Sequence, residues 1–413
     1  MYKKVVSIIL VATMFLSLAA CGGKGTGSRE KDTLTLALRE GTYADVIEQC
    51  LPEFEKEHGI KCVVERLSEE DLHGGVVEDA HNSEGKYDLC MVDGSWMAEY
   101  ASQNILTPLS DIGYELDDDI IPATTKICYY NDKIYLAPYY GNVTVLLYNK
   151  AMAEAAGFGN KPISTLEDVK KVADYAKSSG KYGFVYRGDT SNNLVVDFLP
   201  ILLSYGGWVV DEGNNPTVDT IAFHDAMKFY LELINTGTAM AKDDMIAAIS
   251  GDKAALGIAW PGWYTPEAGS PADYCALSGR VDDNSTSYNA NVYGVWTIGI
   301  PENSPNKGDA EMLLEYLMDP EVQKSTVESG GVPCRYSSLA DEDILSKYPQ
   351  YEAVRQALES GTYRPIMMRW PDYYTILGTA MERIIRGENT IDVGLSEAQS
   401  QLEELMSQSD TVH

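Results

Sequence analysis

Apolar and polar positions follow two rhythms along this chain. Leu34 to Leu38 alternates apolar residues with threonine, Cys62 to Leu67 is rich in strand formers, and Tyr87 to Val92 is a short apolar run stopped by Asp93-Gly94. Val143 to Tyr148, Gly183 to Tyr186, Ala254 to Trp260 and Val292 to Ile300 also read as strands. Between them the apolar spacing lengthens to the helical period. Ser164-Thr165-Leu166-Glu167 predicts a capping box opening a helix whose Leu166, Val169, Ala173 and Ala176 share one face, with Gly180 at its end. Thr220 to Ile234 repeats the pattern with Gly237 as its stop, and Asp309 to Met318 is amphipathic up to Pro320. Further helices are expected over Thr375 to Arg386 and Val393 to Leu405.

Such alternation predicts largely parallel sheets covered by helices on both faces. Ligands of these folds bind beyond the carboxyl ends of the strands. The residues just after strands therefore become candidates: Arg39, Glu40 and Tyr43, then Asp93, Ser95 and Trp96, then Pro261, Gly262, Trp263 and Tyr264. An acid beside an aromatic recurs at these ends.

The N-terminus changes the picture from fold to compartment. Lys3 and Lys4 precede an apolar stretch from Val5 to Ala20, and Leu18-Ala19-Ala20-Cys21 is a small-residue cleavage context ending on cysteine. This reads as a signal peptide over 1–20, with Cys21 as the lipidated first residue of the mature chain. Residues 21–31, rich in glycine, form a tether of about 17 Å reach. The apolar stretch is shorter than the roughly 20 residues that cross a bilayer, so lipid is the expected anchor.

Length points to two domains, because single cores stop growing near about 250 to 300 residues. The formal charge of −30, from 62 acidic and 32 basic residues, argues against nucleic acid and acidic lipid as partners and disfavours anionic ligands. Besides Cys21, six cysteines are scattered without a CxxC pair, and the five histidines show no metal-ligand spacing. No metal or other cofactor is expected.

Several stretches then resemble one family. Tyr87 through Asp93 and Trp96 to Leu106-Thr107-Pro108-Leu109, Ala137-Pro138-Tyr139-Tyr140 leading to Leu147-Tyr148-Asn149-Lys150, Gly206-Gly207-Trp208, Gly251-Asp252-Lys253 running into Trp260, Ser304-Pro305-Asn306-Lys307, Gly330-Gly331-Val332-Pro333 and Arg369-Trp370 occur in the family's order. They resemble the extracellular solute-binding proteins of ABC importers, in the sugar-binding group that includes the maltodextrin-binding proteins. The resemblance implies a periplasmic-binding-protein-like α/β fold of two lobes joined by a hinge, with the ligand cleft between them. By position, the first lobe would hold 32–138 and 294–331 and the second 139–293 and 332–408. It implies a monomer that closes on a mono- or oligosaccharide and delivers it to membrane permease subunits.

Sugar binding needs carboxylates that accept from hydroxyls and flat aromatic faces that cover C–H patches. All six tryptophans fall at strand ends or family positions, and Trp96, Trp208, Trp260, Trp263 and Trp370 are candidate contacts. Trp260 and Trp296, inside apolar runs, fit a core role equally. Asp93 is the favoured acid, with a helix N-cap as its other reading. Glu40, Tyr43, Tyr139, Tyr264 and Arg369 complete the set, Arg369 serving either a sugar oxygen or an ion pair. Competing readings are a polyamine or other cationic solute held by acids and aromatics, and a secreted glycosidase using two carboxylates. No nucleophile motif supports an enzyme.

Overall fold

The computed structural model describes residues 32–159, 161–266, 269–281 and 287–408; Cys21 and the tether lie outside the described residues. Two sheets form the frame. The first has the order Lys61–Leu67, Thr33–Arg39, Leu89–Asp93, Trp296–Gly299, Ala137–Tyr140. Its first three strands are parallel, and Trp296–Gly299 runs antiparallel to both neighbours. The second has the order Ala272–Cys275, Val145–Asn149, Ala254–Ala259, Tyr182–Phe184, and only its last pair is parallel.

The second sheet thus departs from the parallel expectation. The reason lies in how the chain reaches it. Thr33–Arg39, Leu89–Asp93 and Ala254–Ala259 end at the gap between the sheets, whereas Val145–Asn149 and Trp296–Gly299 are fed directly across that gap and must begin there. A strand that begins where its neighbours end is antiparallel to them.

These crossings lie side by side. Gly294 N donates to Asn142 O and Thr144 N to Val292 O, each at 2.9 Å, while Thr362 N donates to Asn291 O at 2.9 Å. Val292–Tyr293 then pairs in parallel with Thr362–Tyr363. Three segments, near 142–144, 291–294 and 361–364, so make one hydrogen-bonded hinge. Gly294 must be glycine there, since a Cβ would stand 2.8 Å from the Trp260 ring.

Helices cover the sheets. The capping box sits one residue later than expected: Thr165 Oγ1 accepts from Asp168 N at 3.2 Å and the Asp168 carboxylate accepts from Thr165 N, opening Leu166–Ser178. Ser191–Ser204, apolar nearly all round and carrying Pro200, is buried in the second core and shows no helical stripe in sequence. Helix Trp370–Ile385 packs on it, and Ile391–Ser407 packs on Trp370–Ile385 and on Ile221–Ile234. The stretch from Val332 to Leu358, expected wholly within the second lobe, also packs with the first. Val332, Cys334 and Leu339 join the first core, and helix Gln350–Glu359 lies between the Pro122–Thr124 turn and the strands Val145–Asn149 and Ala272–Cys275.

Candidate ligand-binding site

A cleft of about 670 Å³ opens between the two sheets. Its first wall comes from the loop after Thr33–Arg39, the end of Leu89–Asp93 and the start of helix Glu69–Asp79. Its second wall comes from the segment after Tyr182–Phe184, the start of Ser191–Ser204 and the turn Pro261–Trp263. The back is the hinge, where each segment contributes a lining residue: Asn142, Gly294 and Arg364.

Asp93 closes its strand with both expected roles present. Its Oδ1 accepts from Ser95 N at 2.9 Å, capping the turn, and Arg364 Nη2 donates to both carboxylate oxygens at 2.9 and 2.8 Å. The pair is almost buried, with 10% of the Arg364 side chain and 4% of Asp93 exposed. Burial works against the Arg364 charge, but Asp93 outweighs it and holds the guanidinium above its ordinary pKa. Across the cleft Arg187 Nε donates to Asp197 Oδ1 at 3.1 Å and Arg187 N to Asp197 Oδ2 at 3.0 Å, behind the lining. Burial raises the Asp197 carboxyl, and Arg187 opposes it.

The aromatic lining consists of Tyr43, Tyr140, Trp260, Trp263 and Trp296. Tyr43 packs on Tyr140 and Trp296 with ring centroids 4.8 and 5.4 Å apart, and its hydroxyl accepts from Asn142 Nδ2 at 3.2 Å. Burial raises its phenol. Trp263 carries the Arg187 guanidinium 4.9 Å from its ring centroid and Lys242 Nζ at 5.9 Å. Three buried polar atoms on lining side chains have no hydrogen-bond partner among the described residues: Asn142 Oδ1, Asn192 Oδ1 and Arg364 Nε.

Of the sequence candidates, Arg39, Glu40, Tyr43, Asp93, Trp260, Gly262 and Trp263 line this cleft, whereas Ser95, Trp96, Tyr139, Trp208, Pro261, Tyr264, Arg369 and Trp370 do not. Trp96 lies behind it, its ring edge-on to Trp296 at 5.5 Å. Tyr139 turns into the first core, because neighbours on a strand face opposite sides and Tyr140 takes the cleft side. Trp208 packs against the second core, and Tyr264 against the first. Trp370 is the first residue of a helix rather than part of a loop, 2% exposed and stacked on Tyr373 at 5.6 Å. Arg369 precedes that helix and donates to Gln408 O at 3.2 Å.

Sequence reasoning missed Glu69, Asn142, Arg187, Asn192, Lys242 and Arg364. The net charge of the chain does not describe the cleft. Five cationic side chains, Arg39, Arg66, Arg187, Lys242 and Arg364, line the cleft beside three acidic ones, Glu40, Glu69 and Asp93. The acidic excess of the chain lies elsewhere on its surface.

With this geometry in hand, the pattern defining the bacterial extracellular solute-binding proteins matches residues 37–324. The chain belongs to that family. A solute-binding protein of this kind captures a solute outside the cytoplasm and is not an enzyme. A probable amino-acid ABC transporter periplasmic-binding protein, y4oP of Sinorhizobium fredii, is 25% identical over 248 residues, 57% of this chain and 56% of that protein. The chain thus matches little more than half the length of that relative. Many solved structures share the fold, among them the following two. A Thermotoga lettingae solute-binding protein bound with α-D-tagatose has a TM-score of 0.78 at 23% identity, covering 91% of this chain and 100% of that one. Maltose-bound MalE3 of T. maritima has a TM-score of 0.79 at 20% identity, covering 90% and 99%. Among the described residues of this solute-binding protein, no helix is long and apolar enough to cross a membrane. Nor does any group of three His, Cys, Asp or Glu among them suit a metal ion.

Proposed function

We propose that the cleft captures a mono- or oligosaccharide and that closure of the lobes presents it to the permease. The observation that carries this reading is the set of unpartnered polar atoms on Asn142, Asn192 and Arg364, in a cleft also lined by aromatic rings. A buried polar atom without a partner is costly, and a polyhydroxylated ligand supplies hydroxyls that both donate and accept. The ion pair Asp93–Arg364 offers acceptor and donor side by side with its charge already balanced, which suits a neutral ligand. The solved relatives that hold tagatose and maltose support the same class. A polyamine would meet Arg187, Lys242 and Arg364 on the lining, which weighs against the cationic reading.

The test is a thermal-shift screen of sugars, polyols, amino acids and polyamines on the purified protein. A ligand at a hundred times its dissociation constant stabilises the folded state by about 2.7 kcal/mol. At roughly 2 to 4 °C per kcal/mol, melting should rise by about 5 to 11 °C with a sugar. Trp263→Ala and Asp93→Asn should each weaken that binding. A shift with polyamines or amino acids and none with sugars overturns the carbohydrate assignment.

We also propose that Cys21 carries the lipid that holds the protein at the outer face of the membrane. The signal-like run before it and the glycine-rich tether after it support this reading. Labelled fatty acid should be incorporated in a bacterial host and should disappear in Cys21→Ala; label retained on that variant excludes the site.

A further inference from the structure

We infer that the basic stretch from Lys24 to Lys31 docks in an acidic groove on the first lobe. The inference is independent of what the cleft binds.

The groove, of about 610 Å³, lies between helix Leu51–His58 and the helices Lys307–Met318 and Pro320–Ser325, and shares no lining residue with the cleft. Acids line it from both sides. Glu53 and Glu57 come from the first helix, Glu315 and Asp319 from the end of the second, and Glu321 from the third. Like charges four residues apart on one helix repel, so each row costs stability until a cation lies along it. No Lys or Arg among the described residues lines the groove, and Glu53, Glu315 and Glu321 form no ion pair among them. The floor is aromatic: Tyr316 packs on Phe54 at 5.3 Å, and its hydroxyl donates to Cys50 O at 3.2 Å. Burial, then Cys50, Glu53, Glu57 and Asp319, push the Tyr316 phenol up, so the negative potential reaches the floor. The Tyr139 hydroxyl is aimed at that floor, toward Cys50 and Tyr316. Its side chain is buried at 4% exposure, yet the hydroxyl has no hydrogen-bond partner among the described residues.

The point where the chain enters the lobe names the occupant. Lys61, three residues after His58 of the groove lining, donates from its N to Asp32 O at 3.0 Å. Asn306 Nδ2, beside the start of Lys307–Met318, donates to Thr33 O at 3.4 Å. The stretch before Asp32 therefore joins the lobe at one end of the groove. It carries Lys24, Arg29 and Lys31 against the single acid Glu30, opposite in sign to the groove. From Lys24 to Lys31 an extended chain covers about 26 Å, while helix Leu51–His58 is about 12 Å long, so the stretch can run the length of the groove. A segment joined to its own site by so short a link meets it at an effective concentration of about millimolar, so weak pairing is enough. Exposed ion pairs of this kind are screened by salt. Docking shortens the span from Cys21 to the lobe, and salt lengthens it again.

The experiment uses the chain from residue 21 onward, kept soluble by Cys21→Ala. Carbodiimide joins a lysine to a carboxylate only where the two touch, and mass spectrometry locates the links. Links from Lys24 and Lys31 should concentrate on Glu53, Glu57, Glu315 and Glu321, and should fall at least fivefold in about 0.5 M salt. In Glu53→Gln/Glu315→Gln/Glu321→Gln, three exposed positions whose replacement leaves the core intact, links to the remaining Glu57 should fall as well. Trypsin gives a second reading: cleavage after Lys24 and Arg29 should be at least threefold faster in that variant than in its parent at low salt. Links scattered over carboxylates elsewhere, or equal cleavage rates in the two chains, overturn the inference. Spermidine is the probe for a free occupant. A rise in melting temperature with spermidine that requires the three carboxylates, without links from Lys24 or Lys31, assigns the groove to a free polycation and also overturns it.

Discussion

Glu69 begins a helix on the first wall of the cleft, and burial, then the nearby Asp93 charge, raise its carboxyl above the ordinary range. A raised carboxyl holds its proton more tightly in the folded state than in the unfolded one. Folded stability contributed by this group is therefore present at low pH and is lost as pH rises through its folded pKa. Glu69→Gln should melt higher than wild type at neutral pH, and the gap should close as pH falls into the normal carboxylate range. An unchanged gap in melting scans from pH 4 to 8 would show that the charge of Glu69 has no such cost. The residue was within reach of the sequence, because it follows the expected Cys62 to Leu67 strand by two positions. Arg187 likewise comes directly after the expected Gly183 to Tyr186 strand. The strand-end rule found Arg39, Glu40, Tyr43, Asp93, Gly262 and Trp263, and applied to these two strands it would have found both. Arg364 left no such signal. Its position depends on the pairing of Thr362 with Val292, a contact between distant parts of the chain that no local pattern encodes.

Among the elements, helix Trp370–Ile385 starts five residues before the expected Thr375 and changes the meaning of its first residue. Pro371 at the second helical position is compatible with a helix start, where no intrahelical N–H is needed. The expected start at Thr375 left Trp370 outside the helix, where it counted as a candidate contact. In the helix the ring is core, packed with Tyr373, Leu377 and the rest of the second cluster. Trp370→Ala should cost about 3 to 5 kcal/mol of stability through the cavity it leaves. Denaturant titration should show that loss, while the affinity of the remaining folded protein for any ligand found in the thermal-shift screen stays near wild type. A variant with unchanged stability and lost binding would return Trp370 to the site. Tyr139 shows the same sensitivity at a single position. In Ala137–Tyr140 a shift of one residue exchanges core for cleft, and sequence resemblance located the strand without fixing its facing.

At the scale of the molecule, alternating strands and helices gave the α/β class, length gave two domains, and the family resemblance gave the fold of two lobes with a cleft between them. Strand direction in the second sheet was not legible, because it depends on where the chain crosses between lobes rather than on any residue pattern. The same crossings set how the molecule can move. Strands bonded edge to edge form a ribbon that resists shear and stretching within its own plane, since either would break hydrogen bonds, and yields most readily to bending across it. The joint between the lobes accordingly has one compliant direction. Asn142, Gly294 and Arg364 ride on this ribbon, so bending across it should change their mutual spacing less than it changes the distance between the two walls. A solute entering the open form thus meets a fixed template at the back before either wall arrives, and discrimination begins ahead of closure.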